Sequence, residues 1–102
     1  MDSFDSKRLY ESIKLVLDLG YKIESLYYDS GSFGNFVVVL QKDKKYIQIQ
    51  NDRGNKIFVD KGIKSKNNLQ WKEIYEISII DNEYEALKKL CNDLAQKGFL
   101  ND

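Results

Sequence analysis

The chain reads as an α+β domain with an N-terminal helix, a four-stranded antiparallel meander sheet and two C-terminal helices, in the order α-β-β-β-β-α-α. Three observations predict this. Apolar residues recur at helical spacing towards both ends. Four runs rich in β-branched and aromatic residues lie between them. The connections between those runs are too short for parallel crossovers. With 102 residues, the chain makes one domain spanning 1–102.

The first helix is predicted over residues 6–19. Leu9, Ile13, Val16 and Leu17 share one face, Asp5 is placed to cap it, and Phe4 and Leu9 stand as a hydrophobic staple. Gly20 supplies a left-handed residue to end it. The first strand runs from Tyr21 to Tyr28, followed by the loop DSGSFG over residues 29–34. The second, Asn35 to Gln41, is apolar on both alternations and reads as a central strand covered at least in part on both faces. A turn at residues 42–44 leads into the third strand, Lys45 to Gln50. There Ile47 and Ile49 point one way and Tyr46, Gln48 and Gln50 the other. Residues 51–55 turn the chain, with Gly54 suited to positive φ, into the fourth strand, Lys56 to Asp60.

Residues 61–68, KGIKSKNN, are polar and basic and read as a loop. Trp71, Ile74, Tyr75 and Ser78 then have helical spacing, which predicts a short helix over 70–79. The final helix opens on Asn82, with Glu85 at the capping-box position. It carries the stripe Leu87, Leu90, Cys91 and Leu94, and stops at Gly98. These stripes, with Phe36, Val38, Leu40, Ile47, Ile49, Ile57 and Val59, suffice for a core without disulfide or metal.

Composition narrows the chemistry. The chain has no histidine and one cysteine, which removes Ser-His-Asp and Cys-His catalysis, His-bearing zinc sites and internal disulfides. Cys91 falls within an apolar stripe and reads as a small core residue. The paired carboxylates Asp29 and Asp52 fall at the same sheet edge in a meander, but Asp is also a common turn residue. DSGSFG precedes a strand, so it is no phosphate loop. No cofactor, no small-molecule substrate and no enzymatic activity are expected.

The 16 basic and 16 acidic residues cancel overall but are segregated. Residues 1–34 carry a net −2, residues 35–67 a net +5, and residues 68–102 a net −3. Tyr46 and Phe58 beside Lys45 and Lys56 have the interleaving a nucleic-acid surface would use. Zero net charge and only two arginines argue against nucleic acid. The longest apolar run, Phe36–Leu40, has five residues, far short of a membrane span. The polar N-terminus and single cysteine fit a cytoplasmic protein. Seven tyrosines and a tryptophan exceed what a core of this size absorbs, and both types are enriched at protein-binding hot spots.

One longer pattern stands out. Gly20-Tyr21 leads into a strand, and Phe33-Gly34-Asn35 precedes the apolar run VVVL. A charged hairpin is followed by Ile47 to Gly54 (IQIQNDRG), the strand Phe58-Val59-Asp60 and the downstream Trp71. Over roughly residues 20–75 this resembles small bacterial immunity proteins of polymorphic toxin systems, including contact-dependent growth inhibition, with Asn51 where the family's turn has its first Arg. The resemblance implies an intracellular inhibitor that binds a cognate toxin domain, such as a nuclease, and blocks its active site or an exosite. The partner-binding residues expected are Tyr27, Tyr28, Asp29, Asp52, Arg53, Trp71 and Glu73. A non-catalytic regulatory or adaptor module is the alternative.

Overall fold

A computed structural model of the chain describes residues 6–29, 35–52, 56–80 and 82–100. Two short helices, α1 (Ser6–Ser12) and α2 (Lys14–Asp18), precede five strands: β1 (Lys22–Asp29), β2 (Asn35–Lys42), β3 (Lys45–Asp52), β4 (Lys56–Ser65) and β5 (Asn68–Ser78). The helix α3 (Glu83–Gln96) follows. The strands form one antiparallel sheet in the order β1-β2-β3-β4-β5, so every neighbour in sequence is a neighbour in space.

The helical stripes do what their spacing predicts. Leu9, Ile13 and Val16 are buried, as are Leu87, Leu90, Cys91 and Leu94. α1 and α2 both pack on α3, and this layer closes over Phe36, Val38, Leu40, Ile47, Ile49, Ile57 and Val59 from one side of the sheet. The N-terminal helix is broken at Ile13 (φ −101°, ψ 11°) rather than continuous over 6–19. There the hydroxyl of Ser12 donates to the carbonyl of Arg8 at 2.7 Å, a back-bond that bends helices. Gly20 and Gly98 take positive φ, +103° and +79°, where the helices end. Asn82 caps α3, its Oδ1 accepting from the amide of Glu85 at 2.9 Å. The expected Asp5 cap, the Phe4 staple, Gly34 and Gly54 lie outside the described residues.

The architecture differs from the expected one in its second half. The sheet has five strands, not four, and one helix follows it, not two. Of residues 70–79, expected as a helix, 70–78 belong to β5 and Ile79 follows it. Val59 is opposite Tyr75 while Asp60 is opposite Glu73, so Ile74 is an extra residue bulged out of β5. The bulge lets the neighbours Ile74 and Tyr75 both pack against the core, which breaks the two-residue alternation, and with Trp71 on the open face the apolar residues fall at a spacing that mimics a helix. A similar irregularity in β1 leaves Glu24 unmatched between Ile23 and Ser25.

The stretch expected as a loop, 61–68, is the end of β4, the turn Lys66-Asn67 and the first residue of β5. Ile63 there is 54% exposed and Lys64 is exposed, so this part of the ribbon is wet and its sequence carries no apolar alternation. The strand β2, apolar on both alternations, is covered in full on one face and in part on the other, as expected. Phe36, Val38 and Leu40 are buried, but Val37 and Val39 are only half-buried on the far side.

Candidate functional site

The helices and the core lie on one side of the sheet, and the opposite side is covered by no described helix or strand. Strand alternation and the cross-strand register order its residues into three rows. Tyr27, Val37, Gln50, Phe58 and Glu76 stand opposite one another in turn across the five strands. Ser25, Val39, Gln48, Asp60 and Glu73 form the second row, and Lys22, Gln41, Tyr46, Gly62 and Trp71 the third. Aromatic and β-branched side chains therefore stand among amides and carboxylates on this face.

Its size suits a protein partner. Five strands at about 4.8 Å spacing and eight residues long make a plane of roughly 500 Å². Side-chain relief raises the accessible area above that, towards the about 800 Å² per partner of a standard interface. A cavity between β5 and α3, lined by Ile77, Ser78, Ile80, Asn82, Glu85, Ala86 and Lys89, holds about 250 Å³, and open clefts of about 500–770 Å³ lie elsewhere on the described surface.

The expected partner-binding residues divide between the two sides. Tyr27 is 61% exposed on the open face, Trp71 is 38% exposed in the third row, and Glu73 is exposed in the second. Tyr28 alternates to the other side, opposite Phe36, and packs against the core, so it belongs to the helix-facing layer. Asp29 and Asp52 end β1 and β3 at the same end of the sheet, two strands apart, or about 10 Å between backbones. Arg53 lies outside the described residues.

Four residues outside the expected protein-binding set join the face: Val37, Val39, Tyr46 and Phe58, all half-buried. The alternation of Tyr46, Gln48 and Gln50 against Ile47 and Ile49 was the available signal for Tyr46.

Charge on the face is uneven. Asp60 stands directly opposite Glu73, and partial burial pushes the Asp60 carboxyl above its ordinary range. Glu76 is held by Lys56 at 3.2 Å. Below the sheet, Cys91 is fully buried, and burial pushes its thiol up to about 12. It therefore stays protonated at neutral pH and is no nucleophile. No described helix is long and apolar enough to cross a membrane. Compared with models of known protein families, with characterised proteins and with solved structures, the chain matches none.

Proposed function

We propose that the chain is a non-catalytic inhibitor that binds a partner protein through the open face of its sheet. On the sequence resemblance, it is an immunity protein that neutralises a bacterial toxin domain. The observation that carries the binding reading is the face itself: Tyr27, Val37, Val39, Tyr46, Phe58 and Trp71 stand among polar groups on a broad surface with no described element over it. Protein interfaces use mixed faces of this kind, in which aromatic side chains stand among polar groups. Asp60 and Glu73 suit a partner that presents basic groups, as a nuclease does around its substrate channel.

The test is co-expression with the C-terminal domain of a toxin encoded beside this chain's gene. Growth should be rescued, and the two proteins should co-elute as a 1:1 complex. The double substitution Tyr27→Ala and Trp71→Ala should abolish both effects while leaving the chain folded. Death of the cells together with absence of a complex would overturn the inhibitor reading. A complex without rescue would move the chain to the regulatory or adaptor class.

A further inference from the structure

We infer that the groove between the β2–β3 and β4–β5 hairpin tips receives an acidic segment of the protein partner. This deepens the protein-binding reading of the neighbouring face and rests on it. The meander brings the two tips to the same end of the sheet. They enclose a groove of about 500 Å³ lined by Gln41, Asp43, Lys44, Tyr46, Lys64 and Lys66.

Three lysines from two hairpins thus surround one tyrosine. All three are exposed, and none forms an ion pair among the described residues. The groove's single carboxylate, Asp43, leaves it with a net positive charge. One wall is fixed, because the Gln41 amide donates to the Asp43 carbonyl at 3.0 Å. Unneutralised like charges repel one another, and an anionic occupant converts that repulsion into attraction.

The choice among anions follows from what lies beside the groove. Tyr46 continues into the row Tyr46–Gly62–Trp71. The next row, about 7 Å along the strands, carries the opposed carboxylates Asp60 and Glu73. A phosphodiester chain running from the groove onto the aromatic row would meet those carboxylates with charge of the same sign. A protein can set acidic groups over the lysines and basic groups over Asp60 and Glu73. Lysine ammonium groups, which are point charges without the planar fork of arginine, match this non-directional attraction.

The experiment titrates the full chain into a fluorescently labelled Glu-rich peptide of about ten residues and reads anisotropy. Binding is expected at low salt and is expected to vanish by about 0.5 M salt, where screening shortens to a few ångström. The combined variant Lys44→Ala, Lys64→Ala, Lys66→Ala should bind about tenfold more weakly at an unchanged melting temperature. Absence of binding, or variant affinity within about twofold of the parent, overturns the assignment. Tighter binding of a single-stranded oligothymidylate than of the peptide also overturns it and gives the groove to nucleic acid. None of these outcomes bears on toxin rescue through Tyr27 and Trp71, so the two readings fail separately.

Discussion

The ring of Trp71 lies against Gly62 so closely that a methyl group on that glycine would stand 2.9 Å from the indole Cζ3. The same methyl would be 2.8 Å from Cβ of Tyr46 and 3.1 Å from Cδ1 of Leu69. Gly62 is therefore the floor on which the third row of the open face is laid. The indole and the leucine can turn aside, but Cβ of Tyr46 is fixed to its backbone. Gly62→Ala should force β3 and β4 apart, at a cost of about 1–3 kcal/mol. The Trp71 emission of the folded protein should shift to the red as the ring lifts into water. A urea titration followed by fluorescence checks both, and an unmoved midpoint would refute this account.

Asn51 is buried within the sheet, and its Oδ1 accepts the amide of Phe36 at 2.6 Å. Its amide group donates to Glu83 at 3.4 Å, which links β3 to the first turn of α3. Asn51→Ala leaves the Phe36 N–H without that acceptor in a dry place and should destabilise the fold by about 1–3 kcal/mol. Hydrogen exchange at Phe36 should accelerate along with the drop in stability. Protection at that amide equal to the parent's would sink the idea.

Tyr75 donates its phenolic hydrogen to Asp93 at 2.9 Å, and Asp93 also pairs with Lys89 at 3.4 Å. That hydrogen bond, then burial and the nearby negative charge, hold the phenol above its usual 10. A group raised in the folded state contributes stability that is complete below the unfolded value and lost as pH rises through the folded one. Tyr75→Phe should therefore cost roughly 1 kcal/mol at neutral pH. The gap between parent and variant should close only above pH 10. Chemical denaturation at a series of alkaline pH values reads the difference, and a gap that widened there would contradict the assignment.

The cap of α3 gives a local test. Asn82→Ala removes the acceptor for the Glu85 amide and should lower stability by about 1 kcal/mol, with Asn82→Gly costing only a few tenths. Thermal melts of the two variants, compared side by side, check the order.

Tyr27 should behave oppositely. At 61% exposure it contributes little to the fold, so Tyr27→Ala should stay within about 0.5 kcal/mol of the parent in stability. A hot-spot role predicts a loss in partner affinity of about thirtyfold or more. Calorimetric titration against the purified partner separates the two effects, and undiminished affinity removes Tyr27 from the interface.

The core was legible in the sequence because period and burial agree there. Phe36, Val38, Leu40, Ile47, Ile49, Ile57 and Val59 alternate as a half-buried sheet requires, and all are buried. β5 was not legible, because the bulge at Ile74 breaks the alternation in the middle of the strand and mimics a helix. The end of β4 escaped for a different reason: beyond the reach of the helix layer nothing selects apolar residues. At the candidate site, composition flagged the surplus of tyrosines but could not assign sides. Tyr27 and Tyr28 are neighbours of the same type, and only the cross-strand register sends one outward and the other to the core.

The unmatched residues Glu24 and Ile74 lie in β1 and β5, the two strands that no other described strand pairs on the outer side. An open edge is a template for another chain's backbone, and a bulge in such a strand interrupts that template and twists it away. Copies of this protein crowded together would thus meet two edges ill-suited to continuous stacking, and fibre growth strand upon strand is blunted at both ends of the sheet.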